Sequence, residues 1–369
     1  MEEQIEEFIN IQYPQLSEAT FFDYQFTSPI SSQQIQRIKK LSQKLIASPH
    51  SSEEQSDFDR TLALLRTTIA ELFSTNLINY TVILFQTPEA AIDEIFESFP
   101  WGNNSHYVVD DSFELDIANY IHYAEKAGAT SGNLNTTSKS KSLLLTTFSE
   151  KKIEEASQFQ KKGFGLHHVL FDATQSAPFH IPNLTKNPFD FFLLSLKKIC
   201  GIELCAMLIK LQAAEQLRPQ FYGGGAVAFS CAREYIHRNF KSHTKRLENG
   251  TPPLVSIFAA YEGINVILKL NKIIEMSKNE ERVHSLMRKM EKLITENFTN
   301  ITCEVNEWKN EIIIEFVDCE NPKDLQIKYI EKKVILGINK NNKLRASFGL
   351  MNREKDVTNF IDATKVIFS

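Results

Sequence analysis

Hydrophobic positions along the chain follow two alternating periods. Over Ser31–Ala47 the apolar residues Ile35, Ile38, Leu41 and Leu45 recur at three- and four-residue spacing, which predicts an amphipathic helix. Phe58–Leu72 repeats that spacing. Tyr80–Phe85 (YTVILF) is a short β-branched run and predicts a buried strand. Pro88 opens a further apolar helix over Glu89–Phe99, and His106–Val109, Ser142–Thr146 and His168–Phe171 read as the next strands. Strands alternating with helices predict an α/β fold with a mostly parallel sheet covered on both faces. Val266–Phe298 reads as two helices broken near Met276–Asn279. After it the pattern changes. Ile301–Val305 and Glu311–Phe316 read as an antiparallel pair, Lys343–Gly349 as another strand, and Asp356–Ile367 as a closing helix, so the tail predicts a small α+β domain.

Composition narrows the class. Hydrophobic residues make up 42 % and charged residues 24 %, with 13 Gly and 12 Pro, which excludes collagen-like and disordered chains. A net charge of −5 leaves no polycationic footprint, so nucleic acid is not an expected partner and any bound phosphate belongs in a local pocket. The opening MEEQIEEFIN has no basic or apolar export signal, and no apolar run reads as long enough to span a bilayer. The cysteines Cys200, Cys205, Cys231, Cys303 and Cys319 form no CxxC pair. They read as reduced thiols of a cytoplasmic protein, with no metal site expected.

Three segments carry chemistry. In VLFDATQ an apolar run ends in Asp172, with Gln175 three positions on. Ligands of open α/β sheets bind at the carboxyl ends of strands, where an acid can pair with a cationic ring nitrogen; a helix-cap or turn aspartate is the plain alternative. In DFFLLSLKKICG an apolar strand delivers Ser195, Lys197, Lys198 and Gly201. A desolvated lysine is the standard amine for a Schiff base, whereas two solvated lysines past a strand end are the plain alternative. An acid at one strand end and Ser-x-x-Lys at the next suit a pyridoxal phosphate site, with the acid at the pyridine nitrogen, the lysine on the aldehyde and the serine at the phosphate. The third segment, FYGGGAVAFS, brings Gly224 and Gly225 where backbone can approach a phosphate or a second subunit, or simply turn.

Together, DFFLLSLKKICG, RPQFYGGGAVAFS and RLENGTPPLVSIFAAYEGI resemble the aminotransferase class V, cysteine desulfurase-like domain of molybdenum cofactor sulfurases. FFDYQFTSP, SPHS, YTVILFQTPEAAIDEIFESFPW and VLFDATQ extend the resemblance backward, and LRASFGLMNREKDVTNFI extends it forward. It implies a pyridoxal-phosphate fold of type I. Residues 51–265 would form the large domain and 266–369 a linking helix and small domain, with residues 1–50 packed on the small one. It also implies a homodimer acting on a small amino acid. Position by position, Lys198 falls on the Schiff-base lysine, Asp172 on the acid at the ring nitrogen, Gln175 near the ring hydroxyl, and Ser195 on the phosphate serine. Arg345 falls on the arginine that grips the substrate carboxylate.

The departures from the family pattern set a second expectation. The phosphate loop reads Gln86-Thr87-Pro88-Glu89, with Glu89 in place of threonine, Pro88 lacking an N–H, and Thr87 as a substitute hydroxyl. Phe113 replaces the histidine that stacks on the ring; it can stack but cannot move protons. Ala226 follows the glycines where the family has threonine. Val334–Lys343, read as the mobile loop before the arginine strand, has no cysteine to carry a persulfide. Two functions follow from this pattern. One is a pyridoxal-phosphate enzyme acting on an amino acid through Lys198 without that cysteine. The other is an inactive relative working by binding or dimerisation.

Overall fold

In the computed structural model, the described residues are 2–43, 52–136, 141–161, 166–177, 179–220, 229–231, 234–236, 243–248, 250, 252–275, 278–317 and 321–368. Gly224, Gly225, Ala226 and Cys319, singled out above, lie outside them. By internal contacts the chain forms two compact units. One comprises Met1–Lys44, Lys197–Ile202 and Glu262–Ser369, the other Leu45–Leu196 and Glu203–Tyr261.

The chain opens with α1 (Glu2–Gln12), β1 (Thr20–Phe22) and α2 (Ser32–Ser42). Ser31 and Gln34 close a capping box on α2, each side chain bonding the other's backbone N–H. Then come α3 (Ser52–Leu72), β2 (Tyr80–Phe85), α4 (Pro88–Ser98), β3 (His106–Val109), α5 (Ile121–Lys126) and β4 (Thr130–Ser131). They are followed by β5 (Ser142–Thr147), α6 (Glu150–Gln160), β6 (His167–Asp172), β7 (Phe191–Ser195), the short α7 (Leu196–Cys200) and β8 (Cys205–Lys210). After α8 (Leu211–Ala214), the antiparallel pair β9 (Phe229–Cys231) and β10 (Glu234–Ile236), and α9 (His243–Leu247), two long helices follow: α10 (Leu254–Ile274) and α11 (Asn279–Asn297). The tail is β11 (Ile301–Asn306), β12 (Glu311–Phe316), α12 (Pro322–Glu331), β13 (Val334–Ile338), β14 (Leu344–Ser347) and α13 (Glu354–Phe368).

The larger unit holds a seven-stranded sheet in the order β2-β8-β7-β6-β5-β3-β4. Its central strands β5, β6 and β7 are buried throughout and apolar in their middles, as strands covered on both faces are, with polar residues at their ends. Leu143, Leu145, Leu170, Leu193 and Met207 share one apolar cluster with Ile92, Ile95 and Phe96 of α4. The alternate positions Phe171 and Phe192 meet Phe148 and Phe73 edge-on, with ring centroids 5.0–5.5 Å apart for Phe148–Phe171, Phe148–Phe192 and Phe73–Phe192. β8 runs antiparallel to both neighbours. The link from Ser195 to Cys205 is too short for a parallel crossover, which needs about a dozen residues or more.

The other unit holds a five-stranded sheet, β1-β13-β14-β12-β11. β1 lies parallel to β13, and the remaining pairs are antiparallel. Phe22 packs on Phe348 at 4.9 Å, and Tyr329 stacks on Phe360 at 5.4 Å.

Three expectations are corrected. The first long helix starts at Leu254, not Val266, because Pro252 and Pro253 end the preceding turn and allow helix from the next residue. That helix is long and apolar enough to cross a membrane by length and composition, so the reading of no such run does not hold. Ile257, Phe258, Ala260, Ile264, Ile267 and Leu270 along it are buried in protein. The supposed mobile loop Val334–Lys343 is half strand. After β13 the chain turns tightly, with the Asn339 carboxamide oxygen accepting the N–H groups of Asn341 at 3.0 Å and Lys343 at 2.9 Å.

Candidate functional site

In the larger unit the register aligns the carboxyl ends of the parallel strands. Asp172 sits opposite Thr147 on β5 and Leu193 on β7, and Ser195 opposite Cys205. Asp172 is buried. Its Oδ1 accepts the Thr174 N–H at 2.8 Å and its carbonyl the Phe148 N–H at 2.8 Å, so the turn after β6 fixes the carboxylate locally. Ser195 is buried at the end of β7, and Gln175 is half-buried on the turn.

Phe113 is placed by a turn after β3, its N–H donating to the Asp110 carbonyl at 2.9 Å, and it belongs to the apolar cluster under α4. That turn is held by groups the sequence reading missed. Asp110 accepts the Ser112 N–H at 2.9 Å and Lys152 Nζ at 2.7 Å, and Thr147 donates its hydroxyl to the Ser112 carbonyl. Burial raises the Asp110 carboxyl, but Lys152 and Ser112 outweigh it and hold the group below the usual carboxylate range. The dipeptide Asp110-Asp111 before Ser112 was the available signal, as an Asx turn after a strand.

Thr87 and Glu89 stand at the start of α4, both exposed. Thr87 is the N-cap, its hydroxyl oxygen accepting the Ala90 N–H at 3.1 Å while its carbonyl accepts that of Ala91 at 3.3 Å. Pro88 has no N–H to offer. This helix start therefore keeps fewer donors for a phosphate than a Gly-Thr loop would.

In the other unit, Lys198 lies on α7, half-buried, with Nζ donating to Gln25 Oε1 at 3.4 Å. Ser28 grips the same turn: its hydroxyl donates to the Lys198 carbonyl at 2.6 Å and its N–H to the Lys197 carbonyl at 2.9 Å. Gly201 closes the turn at φ +76°, and a Cβ there would lie 2.6 Å from the Ser28 carbonyl. Lys197 points elsewhere, its Nζ 4.1 Å above the Phe26 ring.

Arg345 lies on β14 and meets the same N-terminal segment. Its Nη2 donates to Asp23 Oδ1 at 2.7 Å, with Glu311 Oε2 4.0 Å from Nε. Burial raises the Asp23 carboxyl above its ordinary range, against the pull of Arg345. Asp23 and Gln25 thus tie Arg345 and Lys198 to one stretch of chain. Sequence reasoning missed both, although they stand inside FFDYQFTSP.

Three thiols, Cys200, Cys205 and Cys303, are unpromising as carriers. Cys200 is buried beside Lys198, and burial pushes its thiol up to about 12. Cys205 is buried at the start of β8, and Cys303 is half-buried on β11 with its thiol also raised by burial.

A mixed sheet flanked by helices, with acid and hydroxyl at its carboxyl edge, defines the class, and comparison with known proteins agrees. The class-V aminotransferase family profile matches residues 150–360, and the chain belongs to that family. It is 26 % identical over 323 residues to the molybdenum cofactor sulfurase of Drosophila grimshawi, covering 76 % of this chain and 42 % of that protein. The chain thus spans about two-fifths of the length of such relatives. Among solved structures, the cysteine desulfurase CsdA of Escherichia coli superposes with a TM-score of 0.79 at 14 % identity, covering 99 % of this chain and 98 % of its own. The cystine C–S lyase C-DES, solved with its reaction product cysteine persulfide, superposes at 0.74 and 15 % identity, covering 95 % and 98 %. The fold is that of the cysteine desulfurases, pyridoxal-phosphate fold type I.

Proposed function

We propose that this chain is a pyridoxal-phosphate enzyme that acts on a small amino acid as a homodimer and releases its product directly. The observation that carries this reading is the buried Asp172 carboxylate, held at the carboxyl end of β6 by the Thr174 N–H. A buried carboxylate at that edge suits a protonated ring nitrogen, and the buried Ser195 hydroxyl suits a phosphate. The acid and the hydroxyl therefore suit the ring and phosphate of the cofactor, while the start of α4 offers the phosphate less. When bound, pyridoxal phosphate supplies an electron sink for carbanion chemistry.

The chain's own groups then have distinct tasks. Asp172 would keep a ring nitrogen protonated. Lys198 would offer its primary amine to the cofactor aldehyde, and Gln25 Oε1 orients Nζ through the 3.4 Å hydrogen bond. Gln175 would serve the ring hydroxyl, Phe113 would stack on the ring, and Arg345 would receive the substrate carboxylate. Gly224 and Gly225 belong to the phosphate side of this reading. Incubation with pyridoxal phosphate followed by borohydride reduction and peptide mass mapping tests it: the expected adduct is on Lys198.

Glu89 is exposed at the first turn of α4, so its repulsion of a phosphate is partly screened by solvent. Glu89→Thr is expected to raise pyridoxal-phosphate affinity about tenfold, read by titration of the two proteins. Equal affinities would show that Glu89 does not face the phosphate.

The described thiols Cys200, Cys205 and Cys303 support direct product release, while Cys319 lies outside the described residues. Cys200 and Cys205 are buried, Cys303 is on a strand, and the tight turn Asn339–Lys343 has no sulfur. C-DES, whose product is cysteine persulfide, provides a precedent for sulfur leaving as a small molecule. With the loaded protein and cysteine, alkylation trapping is expected to find no turnover-dependent protein persulfide. One mapped to any cysteine would return the chain to the sulfur carriers.

A second reading, an inactive relative that works by binding, draws on the engagement of Arg345 by Asp23 and on Glu89 at α4. Failure of the full-length protein to capture pyridoxal phosphate at millimolar concentration would favour it.

A further inference from the structure

Arg345 is already engaged by anions of its own chain. Asp23 Oδ1 accepts from Nη2 at 2.7 Å, and Glu311 stands 4.0 Å from Nε, which has no acceptor within hydrogen-bond distance among the described residues. Two carboxylates face one guanidinium. The pair is not sealed in the core: the Arg345 and Asp23 side chains are 16 % and 18 % exposed. The facing strand comes close at Gly337, where a Cβ would lie 2.3 Å from Asp23 Oδ1 and 2.7 Å from Arg345 Nη2. A side chain at that position would push the pair apart, so the glycine leaves Asp23 its place on the guanidinium.

We infer that Asp23 is a specificity-determining residue: an internal carboxylate that occupies Arg345 and must be displaced, or share the guanidinium, before an external carboxylate binds. This rests on the reading of Arg345 as the carboxylate-binding residue. An incoming carboxylate meets a positive charge that Asp23 and Glu311 already offset, and it lies within a few ångströms of like charge. Carboxylate ligands are therefore held weakly by the resting protein. An uncharged isostere of Asp23 keeps a hydrogen-bond acceptor for Nη2 and removes the competition.

The test uses full-length protein and no cofactor, so a failure to bind pyridoxal phosphate would leave it interpretable. Arg345 is labelled with phenylglyoxal and quantified by peptide mass mapping, with 3-mercaptopropionate as the carboxylate probe and 3-mercaptopropionamide as its uncharged control. In Asp23→Asn the carboxylate is expected to protect Arg345 at about tenfold lower concentration than in the wild type, while the amide protects neither. Glu311→Gln removes the more distant carboxylate and is expected to shift protection the same way by a smaller factor. An unchanged or higher protecting concentration in folded Asp23→Asn, or equal protection by the amide, overturns the inference. Should Asp23→Asn not fold, unchanged protection in Glu311→Gln overturns it.

Discussion

Lys198→Ala is expected to abolish covalent capture of pyridoxal phosphate, while Lys197→Ala retains it. The two lysines are adjacent on α7, but their ammonium groups face different surroundings. Lys198 Nζ donates to Gln25 Oε1 at 3.4 Å, and Lys197 Nζ lies 4.1 Å over the Phe26 ring. The Ser28 side chain and backbone hold both carbonyls of the turn, so substitution of either lysine leaves α7 anchored. Only a neutral, correctly placed amine adds to an aldehyde. Visible absorbance and borohydride mapping read the outcome. Adduct formation on Lys197 or elsewhere in Lys198→Ala would remove Lys198 from the proposed role.

Arg353→Ala is expected to destabilise the protein by about 3 kcal/mol or more, the scale for breaking a buried ion pair from one side. Arg353 is buried at the start of α13. Its Nη2 donates to the Leu16 carbonyl at 2.7 Å, and its backbone N–H donates to Asp356 Oδ2 at 2.8 Å. The guanidinium also lies 3.4 Å from the Asp356 carboxylate. Asp356 is buried as well, and burial already raises its carboxyl despite Arg353. Without the guanidinium that carboxylate has lost its nearest cation, and the Leu16 carbonyl has lost a donor. Urea unfolding monitored by circular dichroism measures the change. Combining Arg353→Ala with Asp356→Asn is expected to recover part of the loss, because the uncompensated charge is gone. A loss under 1 kcal/mol in the single variant would mean that solvent reaches the pair on relaxation.

Elements dominated by one period were legible from residue pattern. YTVILF, HVLF and FFLLS are strands because their apolar side chains fill both faces of a covered sheet. β8 was missed because CAMLIK follows a short link and carries no turn signal of its own. α12 and β13 were missed; Asn321 and Pro322, residue types common in turns, act here as N-cap and first residue of a helix. The Asn-rich stretch after Gly337 looked mobile. The Asn339 side chain instead pins a tight turn, and Asn342 adopts φ +56° there, a conformation asparagine tolerates.

The candidate site divides along the same line. Residue type and order alone determined the α/β class and the family. They also placed an acid at the end of one strand and Ser-x-x-Lys at the next, because strand ends, buried runs and breaker residues are local properties of the chain. Only the tertiary structure decided who stands beside them. Asp23 and Gln25 lie far from Arg345 and Lys198 in sequence, and parallel pairing of β1 with β13 brings their segment to the arginine strand. A charge is legible in sequence, but its partner depends on which distant strands pair. For that reason Arg345 read as an open carboxylate site, and the fold shows it holding a carboxylate of its own.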